Sequence, residues 1–454
     1  MKILLATHQF LPEYSAGTEV LTAETAKQLQ RLGHEVSVFA GHPVRQAVDT
    51  AECFESYSVD GISVTRFRHS HHPMGGNRNV MALEYDNRLL AERFRQHLEQ
   101  TRPDVVHFFH LQRISAAALA ACQALRIPTV LTVTDFWLLC PTNQLMLPDH
   151  SHCPGPSEGA ANCLAHLAWL RLPRPLRWLA ALTPQPVWSL LMRLARSGAL
   201  PQLPVIAQVR ALADRKGFIR DRIAGVDHIF VATQFMVEAL KGYGIDERKL
   251  SIQPFGIRYT ERAAPRIPSA DQPLRIGFVG TLYEHKGAHV LLEALRSMPD
   301  TLAVSVQIYG DPGQFPAYVA GLQRLAGDDP RVEFRGTFAR ENTAKVLDDV
   351  DVLVVPSLWH ENSPLALLHA QAAGCPVVGS GVSGISELIH DGVNGLLFAP
   401  GDAKALARAL TRLAMDRSLL AELGARAIRV KPMTEYVHEL LRTYHDISMP
   451  EACL

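Results

Sequence analysis

The sequence lacks any strong charge bias. Its 454 residues carry 45 Lys and Arg against 45 Asp and Glu, so the formal net charge is zero. Without a basic excess, the composition argues against a dedicated nucleic-acid-binding protein, which usually contains a strongly basic domain. The hydrophobic content of 47% excludes a wholly disordered chain and is typical of a globular protein.

Cysteines and long apolar runs are also scarce. The chain has seven cysteines, and no run of 18 apolar residues predicts a transmembrane helix. The opening residues, MKILLATHQF, lack the apolar core of a signal peptide. These features predict a cytoplasmic protein with free thiols, and they leave open peripheral contact with the inner face of the membrane.

One segment lacks acidic residues altogether. Residues 159–213 contain no Asp or Glu, but they include three of the five tryptophans and the prolines that prevent one long helix. Six arginines lie in this segment, at positions 171, 174, 177, 193, 196 and 210. Arginine with Trp and Leu is typical of an element on an anionic membrane surface, here over 164–198. The alternative is an insertion packed on the protein.

Alternating strands and helices predict an α/β fold. KILLA (2–6), a helix over 19–32 ending before Gly33, and HEVSVFA (34–40) form a βαβ unit, which implies a parallel sheet. The pattern recurs at 105–133 and 228–244. After an aperiodic stretch at 256–272, a second series begins with LRIGFVG (274–280) and ends in a helix over 434–447.

This organisation predicts two Rossmann-like domains. The first spans 1–258 and contains the insertion at 159–213, the second spans 273–430, and the last residues, 431–454, form a helix. Ligands of such sheets bind beyond the carboxyl ends of the strands, so we expect the site in a cleft between the domains.

PSLWHENSPLALLHAQAAGCPVV (356–378) is the most informative segment for chemistry. A strand ends at Pro356, Glu361 lies in the turn, and Ser363 and Pro364 are suited to cap and begin a helix. A helix N-terminus favours phosphate, and a carboxylate beside it accepts hydrogen bonds from hydroxyls. The segment predicts a phosphorylated, hydroxyl-rich ligand such as a nucleotide sugar; an ordinary capped helix is the alternative.

Lys286 lies in the loop after the first strand of the second domain, in FVGTLYEHKG (278–287). A lysine at the start of a helix is a point charge for phosphate. Taken alone, Lys286 is better explained as an ordinary surface lysine.

Three segments together resemble the retaining glycosyltransferases of the GT-B fold, specifically family four. They are FLPEYSAGTEVLTAETAKQLQRLGHEVSVFAG, GTLYEHKGAHVLLEAL and PSLWHENSPLALLHAQAAGCPVVGSGVSGISELIHDGVNGLLF, in this order. The resemblance implies that the second domain binds a nucleotide diphosphate sugar and the first domain an acceptor. It also implies that the last helix crosses back onto the first domain.

The resemblance assigns roles to individual residues. Lys286 would hold the diphosphate, Glu361 would contact the donor sugar, and Gly17 would let the backbone approach the donor. His107, His110 and Asp135 would face the acceptor side, with His110 and Asp135 sharing the catalytic role of Glu361 and Lys286. The remaining donor-side residues are Thr281, Asn362, Ser363, Pro364, Leu365 and His369.

Two positions depart from the family's pattern. His369 stands where a second glutamate usually grips the ribose hydroxyls, and a histidine cannot offer a two-oxygen acceptor. Thr281 stands where a basic residue is frequent, so diphosphate stabilisation rests more heavily on Lys286. The resemblance implies a metal-independent transfer with retained configuration, to a carbohydrate, lipid-linked or small-molecule acceptor, and no cofactor.

Other sites and functions compete with this interpretation. Cys140, Cys153 and Cys163 with neighbouring histidines lack the compact spacing of a zinc site, so free thiols are favoured. His69, His71 and His72 are interpreted as a solvated loop. Because His369 departs from the pattern, a catalytically degenerate binding or scaffold protein is the alternative function. A nicotinamide oxidoreductase is disfavoured, because no GxGxxG follows the first strand.

Overall fold

The computed structural model describes residues 1–50, 52–201, 203–259 and 272–448. The chain forms two units: unit 1 is Met1–Gln253 together with the C-terminal residues from Thr434, and unit 2 is Pro254–Met433. The break therefore precedes Pro254, a few residues before the predicted boundary at 258. Most of the predicted linker, 260–271, lies outside the described residues.

Unit 1 is built on a sheet in the strand order β3-β4-β2-β1-β5-β6-β7-β8. All neighbouring strands are parallel except β3 and β4, which form an antiparallel hairpin. The strands are β1 (Lys2–Thr7), β2 (Glu35–Val44), β3 (Phe54–Val59), β4 (Ile62–Ser70), β5 (Val105–Phe108), β6 (Thr129–Val133), β7 (His228–Val231) and β8 (Leu250–Ile252). The hairpin and β8 were not predicted, because short, half-exposed strands carry a weak hydrophobic signal.

Helices connect these strands. They are α1 (Gly17–Arg31), α2 (Val80–Leu83), α3 (Arg88–Thr101), α4 (Ala117–Leu125), α5 (Ala161–Arg171), α6 (Arg177–Leu182), α7 (Gln185–Ser197), α8 (Pro204–Ile223) and α9 (Gln234–Tyr243). The acid-free segment thus forms the separate helices α5 to α7 and the first part of α8. In the described part of the chain, no helix combines the length and apolar character needed to cross a membrane.

Unit 2 is a fully parallel sheet in the order β11-β10-β9-β12-β13-β14. Its strands are β9 (Leu274–Val279), β10 (Val304–Tyr309), β11 (Val332–Gly336), β12 (Val352–Val355), β13 (Val377–Ser380) and β14 (Gly395–Phe398). The helices are α10 (Ala288–Ser297), α11 (Pro316–Ala326), α12 (Thr343–Asp348), α13 (Leu365–Ala372), α14 (Ala403–Met415) and α15 (Arg417–Ala425). This is the doubly wound order, and its direction reverses between β9 and β12.

The core of unit 2 lies between β12, β13 and the apolar face of α13. Leu353, Leu367, Val377 and Ile385 are fully buried there. Strands covered on both faces read as continuous apolar runs, which is why VLVV and VVGS were predictable as strands. This packing fixes the ends of β12 and α13, which border the candidate site.

The final helix, α16 (Met433–Ser448), packs on unit 1, as predicted. Its Tyr444 is fully buried, and the hydroxyl lies 2.5 Å from Nδ1 of His107. The other ring nitrogen of His107 lies 2.8 Å from Oγ1 of Thr132, and the ring stacks on Phe109. The prediction that His107 faces an acceptor was therefore wrong, because this side chain is a core residue within β5.

Candidate functional site

In unit 2, candidate residues meet where the strand order reverses. Lys286 lies in the 3-10 turn Glu284–Lys286, in the connection that follows β9, and Glu361 follows β12. Because β9 and β12 are parallel neighbours, their carboxyl ends open at the same edge of the sheet. A crevice at such a switch point is where open α/β sheets bind ligands.

Glu361 is a buried carboxylate held by three donors. Lys286 Nζ lies 2.7 Å from Oε1, the Ser357 hydroxyl donates to the same oxygen at 2.6 Å, and the Trp359 indole N–H donates at 2.9 Å. The Glu361 side chain is 6% exposed and that of Lys286 is 23% exposed. A buried charge needs such partners, and they fix the carboxylate in one orientation. The three donors leave Oε2 for another interaction.

Aromatic rings surround the lysine. Lys286 Nζ lies 4.7 Å from the centre of the Trp359 ring, a cation–π distance. The His285 ring lies 4.2 Å from the same indole. Burial, helped by the charge of Lys286, lowers the pKa of His285 to about 3, so His285 is neutral near neutral pH. The single positive charge of this group of side chains is therefore on Lys286.

Two glycines let the loops approach closely. Gly287 has a positive φ of 74°, and a Cβ there would lie 1.9 Å from the Pro356 carbonyl oxygen. Gly384, at φ 82°, would place a Cβ 2.0 Å from the Glu361 carbonyl oxygen. Any side chain would displace backbone at both positions, so glycine is required to bring Lys286 and Glu361 together.

The start of α13 differs from the prediction. The helix begins at Leu365 with Pro364 in the capping position, and no side chain caps it. Ser363 therefore does not cap the helix; it has a left-handed φ of 82°, and its buried Oγ has no hydrogen-bond partner in the described part of the chain. Asn362 beside it is also buried. An uncapped helix start next to an unpaired hydroxyl presents donors to an anion.

Thr281 and His369 flank this arrangement in the sequence of unit 2. Thr281 is half-buried two residues beyond the end of β9. His369 is a half-buried residue of α13, and burial lowers its pKa to about 4. The imidazole is therefore neutral near neutral pH, with one donor and one acceptor nitrogen.

A second cluster lies at the carboxyl ends of β5 and β6 in unit 1. His110 Nε2 lies 2.7 Å from Asp135 Oδ2, although the two atoms are not aligned as a hydrogen bond. His110 Nδ1 accepts the Gln112 N–H at 2.9 Å, which leaves Nε2 facing Asp135. Asp135 Oδ1 accepts the Trp137 N–H at 2.8 Å. His110 and Asp135, both predicted for the acceptor side, are thus in contact.

The sequence analysis did not identify the residues that pack next to the His110–Asp135 pair. The His8 ring, just after β1, lies 4.2 Å from the His110 ring, and its Nε2 lies 3.4 Å from Oε1 of Glu19. Glu19 is fully buried in the first turn of α1, and burial raises its pKa. Burial, with the charges of His110 and Arg113, lowers the pKa of His8 well below its ordinary value. A histidine directly after the first strand was the available signal.

Gly17 occupies a different position from the predicted one. It is the exposed first residue of α1 and not a loop residue. Its neighbour Thr18 donates a hydrogen bond to Thr134 Oγ1 at 3.0 Å, which ties the start of α1 to the end of β6. Gly17 therefore supplies one of the N–H groups at the start of α1.

One set of possible metal ligands lies in unit 1. Among the described residues, the one set of three candidate ligands within 4.8 Å is His69, His71 and Glu84. His69 is buried in β4, so it does not belong to the predicted solvated loop. The buried Nδ1 of His69 lacks the hydrogen bond that usually orients a metal ligand. The positive charge of Arg113 acts on both His71 and Glu84.

The zinc alternative is likewise unsupported. In the described ranges, Cys140, Cys153 and Cys163 do not bring three ligand atoms within 4.8 Å of one another. Burial raises the pKa of the Cys163 thiol to about 12, so it remains protonated. The six described cysteines are free thiols.

The chain matches two family models of the same class. A model described as Glycosyltransferase Family 4 matches residues 15–260, and one described as Glycosyl transferases group 1 matches residues 273–416. The first alone covers more than half of the chain. The chain belongs to glycosyltransferase family 4.

Curated relatives of this family 4 protein match over part of their length. The amylovoran biosynthesis glycosyltransferase AmsK of Erwinia amylovora is 34% identical over 203 residues, which are 42% of this chain and 48% of AmsK. A D-inositol 3-phosphate glycosyltransferase of Stackebrandtia nassauensis is 30% identical over 244 residues, 49% of this chain and 55% of that protein. The chain thus spans about half the length of the curated relatives it matches.

Solved structures of similar fold match almost the whole chain. The Anabaena protein Alr3699/HepE, crystallised with UDP, has a TM-score of 0.62 and 16% identity, covering 98% of this chain and 100% of that one. Sucrose-phosphate synthase from Thermosynechococcus elongatus has a TM-score of 0.65 and 16% identity, covering 98% and 99%. These likenesses establish the fold, and with the two mainly parallel sheets they confirm the prediction of two Rossmann-like units of the GT-B type.

Proposed function

We propose that this protein transfers a sugar from a nucleoside diphosphate sugar to an acceptor during synthesis of a polysaccharide or another glycan. One observation carries the proposal: Lys286 and a buried Glu361 meet at the switch point of unit 2, beside the uncapped start of α13. Membership of glycosyltransferase family 4 supports the reaction class. The names of relatives such as AmsK support glycan synthesis as the context.

The diphosphate is the part of the donor that the positive groups would hold. Breaking a sugar–phosphate bond leaves negative charge on the diphosphate and positive character on the sugar carbon. Lys286, the Ser363 hydroxyl and the first N–H groups of α13 would stabilise that negative charge. Losing one preorganised donor of this kind typically costs about 10²–10³ in rate. We propose that these groups suffice without a metal ion.

Glu361 would bind the sugar. Its Oε1 is engaged by Lys286, Ser357 and Trp359, so Oε2 is the oxygen suited to accept a hydrogen bond from a sugar hydroxyl. Neighbouring Asn362 is buried with it. A carboxylate fixed in this way orients the sugar at little entropic cost.

The unit 1 cluster would serve the acceptor. His110 and Asp135 form a polar pair at the carboxyl ends of two strands, and Glu19 and His8 support it from behind. A histidine paired with a carboxylate can hold or accept the proton of an attacking hydroxyl. We propose that His110 orients the acceptor hydroxyl.

We further propose that the anomeric configuration is retained, with the acceptor attacking on the face that the diphosphate leaves. This route does not need Glu361 as a nucleophile: its Oε1 accepts three hydrogen bonds, one of them from Lys286, and its Oε2 is proposed to accept one from a sugar hydroxyl. In this route the departing phosphate oxygen takes the proton of the acceptor. NMR of the anomeric proton in the product tests it, and an inverted anomer would assign His110 the part of general base.

The base of the donor follows less directly. HepE, a structural neighbour, was crystallised with UDP and with UDP-glucose, which makes uracil the first base to test. The neutral His369, with a pKa lowered to about 4, offers one donor and one acceptor in place of a carboxylate. We propose that it makes a single hydrogen bond to the nucleoside.

A thermal-shift screen of UDP, GDP and ADP and of their glucose conjugates tests the proposal. At about 100 times Kd, a ligand that binds only folded protein adds roughly 2.7 kcal/mol of stability. We expect a shift with one nucleotide, followed by slow release of that nucleoside diphosphate from its sugar conjugate. A shift without release, even when candidate acceptors are added, would favour the degenerate binding protein, and no shift with any nucleotide would refute the proposed donor class.

A further inference from the structure

Exposed apolar side chains are concentrated in one segment of unit 1. Fourteen large apolar side chains are exposed in the described part of the chain, and ten lie between positions 170 and 205. Leu182 is 72% exposed, Val205 61% and Trp178 56%. Scattered exposed leucines need no explanation, but a contiguous set marks an interaction surface. The ten are Leu170, Leu176, Trp178, Leu179, Leu182, Val187, Leu190, Leu191, Leu203 and Val205.

The insertion is anchored to the protein by other side chains. Ala180 of α6 and Met192 and Ala195 of α7 are buried. The exposed residues Trp178, Leu179 and Leu182 lie away from Ala180 around α6, by the periodicity of a helix. Each of these helices therefore has one face packed on the protein and a second apolar face turned to solvent.

The α7 helix repeats this arrangement. Val187, Leu190 and Leu191 are spaced three and four residues apart, so they share one face, and all three are exposed. Arg193, three residues after Leu190, borders that face and is exposed. A helix on the protein surface needs only one apolar face, the one that packs on the core. The second, exposed apolar face of α7 therefore indicates a binding partner.

The charged side chains of the segment itself are all basic, and Arg196 of α7 lies 3.9 Å from Asp214, the first acid after the segment. No acidic residue occurs from 159 to 213. Within the described residues, the exposed Arg174 and Arg193 contact no carboxylate, and Arg171 bonds only the amide oxygen of Gln208, at 3.1 Å.

We propose that α5, α6 and α7, with the intervening residues 172–176, lie on an anionic phospholipid surface. The exposed Trp and Leu side chains would enter the boundary between headgroups and acyl chains, and the unpaired arginines would contact lipid phosphates. Because none of these residues belongs to the two candidate clusters, this proposal does not depend on the proposed transferase activity. It would place the enzyme where a lipid-linked acceptor is present.

A second copy of the chain fits this surface less well. A symmetric contact between two copies would set the same arginines against one another, with no acid in 159–213 to neutralise them. An anionic membrane supplies both the apolar volume and the negative charge that this surface lacks.

Co-sedimentation of the full chain with phosphatidylcholine vesicles, with and without phosphatidylglycerol, tests the proposal. We expect binding only to the anionic vesicles, with a loss of affinity as salt is raised. The triple variant Trp178→Ser, Leu179→Ser, Leu182→Ser should lower the partition coefficient by at least about tenfold, because each side chain loses apolar burial. Replacing Arg171, Arg174 and Arg193 by Gln should lower it by about 10², at roughly fivefold for each charge.

Matched control variants distinguish binding through this surface from non-specific adsorption to vesicles. Leu32, Val393 and Met415 are exposed apolar residues outside the segment, and their triple serine variant should bind like the wild type. Arg78, Arg126 and Arg296 are exposed arginines outside it, and their glutamine variants should lose much less affinity. All these changes are at exposed positions, and melting curves would verify that each variant is folded.

Three results would overturn the proposal. They are absence of binding to anionic vesicles, equal losses in the segment and control variants, and a dimer in light scattering that disappears with the Trp178, Leu179 and Leu182 changes. The last result would assign the surface to a second copy of the chain.

Discussion

Replacing Lys286 and Glu361 one at a time should change nucleotide affinity in opposite directions. Lys286→Met removes the charge proposed to hold the diphosphate, and a hydrogen bond to a charged group contributes about 1.5–3 kcal/mol, or roughly 10- to 100-fold in Kd. Glu361→Gln removes the carboxylate that competes for the same Nζ at 2.7 Å. Two unit charges 4 Å apart near a protein surface interact by about 4 kcal/mol, and partial solvent exposure reduces this. We therefore expect UDP binding to tighten about two- to tenfold in Glu361→Gln.

Turnover separates the two residues further. Glu361→Gln should lower transfer or donor hydrolysis at least about tenfold despite tighter UDP binding, because the sugar loses its oriented acceptor. Lys286→Met should lower both affinity and turnover. Titration calorimetry with UDP gives Kd, and release of UDP from the donor gives the rate. Lys345→Met, at an exposed lysine of unit 2, is the matched control and should change neither.

The stability of each variant must be measured together with its UDP affinity and turnover. Lys286→Met leaves Glu361 with the Ser357 and Trp359 donors, and Lys286 is partly exposed, so we expect a cost of about 1–3 kcal/mol and not the full penalty of breaking a buried pair. If both single variants weaken UDP binding to the same extent, and the double variant is no worse than either, the pair is structural. That result would refute the assignment of Lys286 to the diphosphate.

Three further predictions concern unit 1. His110→Ala should lower turnover about 10²-fold while the Kd for UDP stays within about twofold, and a parallel loss of UDP affinity would place His110 on the donor side. Burial raises the folded-state pKa of Glu19, so the wild type loses stability as pH rises above the ordinary carboxyl pKa of 4.5. The melting temperature of Glu19→Gln should therefore gain on that of the wild type as pH rises above about 4.5, and a constant difference would contradict this. Tyr444→Phe removes the partner of His107 and should lower the melting temperature of unit 1 by about 2–6 °C without changing UDP affinity, whereas an unchanged melting temperature would show that the bond contributes little.

Strands and helices with a clear local pattern of apolar residues could be predicted from the sequence. Apolar runs such as KILLA and VLVV identified parallel strands, since a strand covered on both faces has no polar alternation. The alternation of strands with helices indicated two Rossmann-like domains, and the motifs identified the family. The half-exposed hairpin of β3 and β4 escaped prediction because its strands carry polar side chains on one face.

The candidate site was only partly readable from the sequence. Lys286 and Glu361 could be named because each follows a strand and precedes a helix. The sequence could not identify their partners Ser357 and Trp359 or the pairing of Glu19 with His8, because these contacts depend on side-chain direction and burial. The absence of acids from 159–213 was visible in the sequence, but which side chains are exposed there was not.

The difference between what the sequence decides and what the tertiary structure decides is clearest for His107 and His110. Both histidines lie within the one short segment VVHFFH, and the sequence alone treated them alike. In the folded chain, His107 is buried and lies within hydrogen-bond distance of Thr132 and of Tyr444, which follows it by more than 300 residues. His110 instead contacts Asp135. The sequence by itself determined the buried parallel strands such as β1 and β12 and the family to which the chain belongs, because both depend on local patterns. Only the tertiary structure decided which polar residues are core and which form a site, because that depends on contacts between distant parts of the chain.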